Sequence, residues 1–183
     1  RARNDQFYED YKLARLDINA YLRFVLTTIK GLSTREVDNL HSVFFQSHIA
    51  PFILPKAQDC VNQHKANGDT CLVITATSRF ITEPIVSAFG IEHIIASEAQ
   101  IIDGHYTGEP SGIPSFAGGK VTRLAEWLNT KPELKLQEHY FYSDSRNDLP
   151  LLEEVSHPVA VDPDDTLRHI ASERGWPILS FRD

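Results

Sequence analysis

Methionine is absent from all 183 residues, and cysteine is reduced to two, Cys60 and Cys71. Neither cysteine stands in a C-x-x-C pair or at a Cys/His metal spacing, so both read as ordinary thiols of a reducing, cytoplasmic compartment. No run approaches the roughly 18 apolar residues that a membrane span requires, and no secretory pattern is visible. An unprocessed translation product opens on methionine. This chain opens at Arg1 in sequence already helical in character, and the expectation is a chain trimmed at its N-terminus. Positive charge is also scarce: 18 Lys and Arg face 25 Asp and Glu, for a net charge of -7. That balance argues against nucleic acid and against an anionic membrane surface as partner, while leaving a small anionic substrate open. The eight histidines form no helical i,i+4 pair, which argues against a transition-metal site.

What is present suits one α/β domain, or a core with a small accessory cap. In the first third, Ile18, Tyr21, Leu22, Val25, Leu26 and Ile29 recur at three- and four-residue steps, one helical stripe. Ser33 and Glu36 form a capping box for a second helix through Val37, Leu40 and Phe44. A third is expected from Lys56 to Asn67. Strands then alternate with helices. Cys71-Leu72-Val73-Ile74 reads as a strand buried on both faces, followed by a helix from Arg79 to Phe89 and a strand from Glu92 to Ala96. Asp103-Gly104 predicts a type I′ hairpin turn. A helix from Lys120 to Leu128, a strand at Tyr140-Phe141-Tyr142 and a short helix from Leu149 to Val155 follow. The strand Pro158–Val161 leads to a helix that Asp162 caps, with Pro163 at its first position. Pro177-Ile178-Leu179 supplies a last strand. The alternation predicts a Rossmann-like, mainly parallel sheet with helices on both faces, plus a small helical cap.

Active sites of such sheets gather outside the carboxyl ends of the strands, and three places carry polar residues there. Thr75-Ala76-Thr77-Ser78 ends the first strand: a hydroxyl and backbone N–H groups at a helix start can receive a phosphate oxygen, or Thr77 or Ser78 can simply cap the helix. Ser143-Asp144-Ser145-Arg146-Asn147-Asp148 places two carboxylates and an amide after another strand. One carboxylate there can ligate Mg²⁺ and the other can orient a neighbour; alternatively Asp148 is a helix cap. Lys120, after Gly118-Gly119, opens a helix where glycines allow close approach to an anion, or is a solvated surface lysine.

In that order, Thr after a strand, Lys at a helix start and a strand-borne Asp-x-x-Asn-Asp resemble motifs II, III and IV of the haloacid dehalogenase superfamily. The phrase Tyr142–Leu149 is similar to its Gly-Asp-Gly-x-Asn-Asp pattern, with Ser143 and Ser145 in place of glycines. The resemblance is nearest to the phosphoserine-phosphatase-like branch, subfamily IB, and spans essentially the whole chain. It implies a Mg²⁺-dependent phosphomonoester hydrolase working through an aspartyl-phosphate. It further implies that Thr75 and the Ala76 N–H bind the phosphoryl group, and that Lys120 neutralises its charge. Asp144 would bind Mg²⁺, Asn147 would touch phosphate, and Asp148 would hold the metal's water shell or Lys120. Residues 1–52 would form part of the cap and residues 53–183 the core.

The family's nucleophile comes from an Asp-x-Asp-x-Thr segment after the first core strand. The chain is expected to hold no Asp-x-Asp, to lack that central strand, and to be inactive as it stands. The resemblance implies a small phosphorylated metabolite as partner, a phospho-amino acid or amino-alcohol phosphate such as phosphoserine or histidinol phosphate. Asp5, Glu9 and Asp10 could favour an amine, or Arg15, Arg23 and Arg35 a carboxylate. A catalytically inactive relative that retains phosphate binding is the alternative. A receiver-type signalling domain fits less well, because Asp144 follows Lys120.

Overall fold

The computed structural model describes residues 2–134 and 138–182; Arg1, where the expected cap begins, lies outside them. Helices α1 (Ala2–Lys12), α2 (Ile18–Leu26), α3 (Thr34–Phe44) and α4 (Pro55–Ala66) come first. The remaining elements are β1 (Leu72–Ser78), α5 (Arg79–Ala88), β2 (His93–Ile102), β3 (His105–Ser111), α6 (Gly118–Asn129), β4 (Tyr140–Ser143), α7 (Leu149–Leu152), β5 (His157–Val161), α8 (Asp165–Arg174) and β6 (Ile178–Leu179).

The helical stripe does what its spacing predicts. Asp17 caps α2 through the Ala20 N–H at 3.0 Å, and Leu22, Leu26 and Ile29 are buried with Val37 of α3 and Tyr106 of β3. At α3 the Glu36 carboxylate accepts from the Ser33 N–H at 2.8 Å and the Ser33 hydroxyl accepts from the Glu36 N–H, closing the expected capping box. The β2–β3 hairpin turns on Asp103 and Gly104 with φ of 48° and 76°. Both central residues are left-handed, as a type I′ turn demands. Around this hairpin, Thr34 donates to the Gly104 carbonyl and Tyr106 to that of Leu32, which fastens the helical layer to β3.

The α/β class is as expected, and three of the four strand pairings are parallel. They are divided between two three-stranded sheets, β1-β2-β3 and β4-β5-β6. Among the described residues nothing pairs with the second edge of β1 or of β4. Leu72, Val73 and Ile74 are accordingly only half-buried, against the expectation of a strand covered on both faces. The second sheet has its own core, with Leu152, Ala160, Leu167 and Ala171 fully buried.

The last helix needs a correction. Its cap is Asp164, whose carboxylate accepts from the Leu167 N–H at 2.8 Å, and Asp162 and Pro163 precede it. Asp162 instead adopts φ of 44° and accepts from the Ser180 hydroxyl and the Phe181 N–H. These bonds to the chain after β6 outweigh the left-handed backbone that Asp tolerates better than most residues, and they hold its carboxyl below the usual range.

Candidate functional site

The first strand end is a bulge. β1 pairs with β2 in register through Ile74 and Ile95, then resumes at Ser78 and Ser97, so Thr75, Ala76 and Thr77 leave the ladder. A bulge re-aims side chains beside a site. The Thr75 hydroxyl accepts from the Thr77 N–H at 3.2 Å, a local turn that curls the segment. Ser78 occupies the cap position of α5 without a side-chain bond to it, so this hydroxyl run does not cap the helix. The strand runs on to Ser78, and α5 begins directly after it at Arg79, where the sequence places the helix.

The second strand end is a tightly bonded loop. After β4, the Ser143 hydroxyl donates to Asp148 at 2.7 Å and accepts from the Ser145 N–H. Ser145 in turn accepts from the Asn147 N–H at 3.2 Å. The two serines that replace the family's glycines therefore brace the loop from within. From outside, Asp164 braces it again: its carboxylate accepts from the Arg146 N–H at 2.7 Å, and its own N–H donates to the Asp144 carbonyl at 2.9 Å. The sequence pattern points to Asp162 as the cap, two residues before Asp164, and so does not single out Asp164.

Lys120 is buried, at 7% exposure, as is Asp148 at 8%. Their Nζ and Oδ1 atoms form an ion pair at 2.7 Å. The surface-lysine reading is thereby excluded. The preceding glycines serve a different end from the one expected. A Cβ on Gly119 would collide with the Pro114 carbonyl oxygen, while one on Gly118 would meet nothing. Gly119 thus lets the start of α6 press against backbone and so sets where Lys120 emerges.

These elements meet around one cavity of about 350 Å³, which Thr75, Ala76, Thr77, Lys120, Asp144, Asn147 and Asp148 all line. Every site residue inferred from sequence is among them. The rest of the lining includes Tyr8, Tyr11 and Tyr21 from α1 and α2 and Phe116 ahead of α6; of these four the sequence points only to Tyr21, and that as part of the apolar stripe. The Tyr11 and Ser145 hydroxyls are hydrogen-bonded at 2.6 Å, which latches α1 to the loop that carries Asp144. Asp5, Glu9, Asp10, Arg15, Arg23 and Arg35 do not line the cavity. Arg15 pairs with Asp10 and Arg23 with Glu109 instead.

The chain does contain one Asp-x-Asp-x-Thr string, Asp162-Pro163-Asp164-Asp165-Thr166, contrary to the expectation that it holds none. Geometry removes it from the chemistry. Asp162 and Asp164 line no part of the cavity, and the oxygens of both carboxylates already accept hydrogen bonds.

The donor set fits Mg²⁺. Among the described residues no three His, Cys, Asp or Glu side chains gather into a metal cage. A hard cation that retains waters and a phosphate oxygen needs only one or two protein carboxylates. Asp144 is exposed to the cavity, while the oxygens of Asp148 are engaged by Lys120 and Ser143.

The model of the haloacid dehalogenase-like hydrolases matches residues 1–153. A histidinol-phosphatase of Neisseria meningitidis serogroup C is 45% identical over 185 residues, which cover 99% of this chain and 83% of that protein. The chain spans about half the length of the mycobacterial relatives it also matches. A crystal structure of a Bordetella pertussis protein of unknown function superposes with TM-score 0.89 at 40% identity, covering 98% of this chain and 82% of the other. A phosphoserine phosphatase solved as a phospho-aspartyl intermediate analogue superposes with TM-score 0.68 at 16% identity, over 97% and 79% of the two chains, a likeness of fold.

Proposed function

From the premise that this chain belongs to the haloacid dehalogenase-like hydrolase family, we propose that it acts as a Mg²⁺-dependent phosphatase of small phosphorylated metabolites. The observation that carries the reading is the buried Lys120–Asp148 pair facing the same cavity as Thr75, Asn147 and Asp144. A buried cation fixed by one carboxylate and opposed by amide and hydroxyl donors is a receptor for a phosphoryl group, whose charge grows on its equatorial oxygens during transfer.

In this reading Thr75 donates its hydroxyl, and Ala76 its N–H, to phosphoryl oxygens, and Asn147 donates from its amide. Lys120 offsets the anionic charge, and Asp148, itself held by Ser143, fixes the ammonium in place. Asp144 is the carboxylate that would hold Mg²⁺, which when bound supplies further positive charge opposite the phosphate. The nucleophile in this reading is a carboxylate that the family's Asp-x-Asp-x-Thr segment would supply. It would attack phosphorus as the ester P–O bond breaks, and the departing alkoxide would take its proton from water. Water then cleaves the aspartyl-phosphate, releasing phosphate and the carboxylate. The helices up to Phe52 act as the cap and the rest as the core. Histidinol phosphate and phosphoserine remain the candidate substrates, each named for a relative. The free thiols of Cys60 and Cys71 support a cytoplasmic setting, and among the described residues no helix is long and apolar enough to cross a membrane.

The test is phosphate release by the full-length protein across a panel of phosphomonoesters, with and without chelator. Asp144→Asn should raise the Mg²⁺ concentration needed for half-maximal rate, and Lys120→Ala should lower kcat. Activity indifferent to chelation, or to both substitutions, removes the assignment. The rival reading is a phosphate binder without turnover. Failure to trap a phosphorylated aspartate from ³²P-labelled ester, with phosphate binding intact, would select that reading.

A further inference from the structure

The part of the cavity lining that lies outside the phosphoryl-binding residues has a composition of its own. It is chiefly aromatic, with Phe7, Tyr8, Tyr11 and Tyr21 from α1 and α2 and Phe116 ahead of α6, and Asn4 supplies an amide. Apart from Lys120, whose charge Asp148 already answers at 2.7 Å, no cation among the described residues lines the cavity. The basic side chains of α1 and its following turn already have partners. Lys12 pairs with Glu9 at 2.6 Å while its ammonium rests over the Tyr8 ring at 4.5 Å, Arg15 binds Asp10, and Arg3 lies over the rings of Phe7 and Phe24. A carboxylate brought into this space would lose water and meet only cations already paired with Glu9 and Asp148, whereas a flat ring would find aromatic side chains and one amide.

Resting on the phosphatase reading above, we propose that Tyr8, Tyr11 and Phe116 form a leaving-group subsite for alcohols that carry a planar aromatic or heteroaromatic ring and no carboxylate. Asn4 supplies the hydrogen bond to a ring heteroatom or amine. Tyr11 has a second duty, because its hydroxyl bonds Ser145 beside Asp144. Its ring therefore sits at a fixed distance from the metal loop, and Tyr11 is a specificity-determining residue placed by the core itself. Tyr8 is 61% exposed and belongs to no buried cluster, so it can be replaced at the loss of its contact with Lys12.

The proposal is tested with the full-length protein and Mg²⁺ on esters that differ by one group. Phosphoethanolamine is phosphoserine without its carboxylate, and histidinol phosphate adds a ring to an amino alcohol. Acetyl phosphate, which needs no leaving-group subsite, is the fourth probe. The expected order of kcat/KM is ring-bearing ester, then phosphoethanolamine, then phosphoserine, with about tenfold or more between neighbours, the size of effect that an unpaired polar group or a lost ring contact produces. Tyr8→Arg supplies the missing cation and should raise phosphoserine relative to phosphoethanolamine by about tenfold. Phosphoserine equal to or better than phosphoethanolamine in the unaltered protein overturns the subsite proposal and leaves the phosphatase reading standing. Turnover of none of the four, acetyl phosphate included, overturns the phosphatase reading instead. In that event calorimetric affinities for the same esters must still follow the stated order, and tight binding of phosphoserine refutes the subsite on its own.

Discussion

Replacing Lys120 by methionine keeps most of the buried stem and removes the charge, so it isolates the ion pair. At 2.7 Å the gross attraction is ~6 kcal/mol with an effective dielectric constant of about 20, and much of it offsets the cost of taking both groups out of water. The larger loss in the variant is an Asp148 carboxylate left buried with Ser143 as its remaining side-chain partner. Breaking one side of a buried pair costs roughly 3–5 kcal/mol. The lower end applies here, because the cavity admits water to Asp148. A loss of about 3 kcal/mol lowers Tm by ~6–12 °C for a protein of this size. Lys120→Met with Asp148→Asn removes both charges and should recover at least about 1.5 kcal/mol of the loss, read from urea midpoints as a double-mutant cycle. Phosphate release should fall ~10²–10³-fold in Lys120→Met and stay low in the double variant, since neither restores the cation. Additive stability effects, or a single-variant Tm within a degree of the parent, would refute the argument that this pair is buried and coupled.

Two further outcomes are expected. Gly119→Ala forces a methyl against the Pro114 carbonyl; it should cost ~1–3 kcal/mol and slow phosphate release as α6 and Lys120 shift, whereas Gly118→Ala, which meets nothing, should be well tolerated. The Tyr142 phenol is pushed up to about 12, chiefly by burial and then by Cys60, so it should remain neutral when ordinary tyrosines ionise. Because the folded value lies above the unfolded one, its contribution to stability is complete below pH 10 and is lost as pH rises towards 12. Ultraviolet titration of the protein against Tyr142→Phe checks this, and a difference signal near pH 10 contradicts it.

How legible the molecule was depended on how local the cause was. The α2 stripe, the Ser33–Glu36 box and the Asp103-Gly104 turn were readable because each is set by residues within one or two turns of chain. The site residues were readable for a related reason: Thr75, Lys120, Asp144, Asn147 and Asp148 stand at element ends, where packing alone does not call for polar groups. Tyr8, Tyr11 and Phe116 were not readable, since aromatic residues on an amphipathic helix or loop look like core until the opposing surface is known. Asp164 was missed for a subtler reason. Three acids crowd the start of α8, and the choice between them is made by Ser180 and Phe181, which claim Asp162 from beyond the end of the helix.

The division into two sheets has a consequence for how the molecule responds to what it binds. Each sheet has a separate core, and the cavity lies on the seam, with Thr75 on one side and the Asp144–Asp148 loop on the other. An anion gripped from both sides is a rivet across that seam. Occupancy should therefore stiffen the molecule far from the rivet, slowing amide exchange in β2 and β5 together, although neither strand touches it.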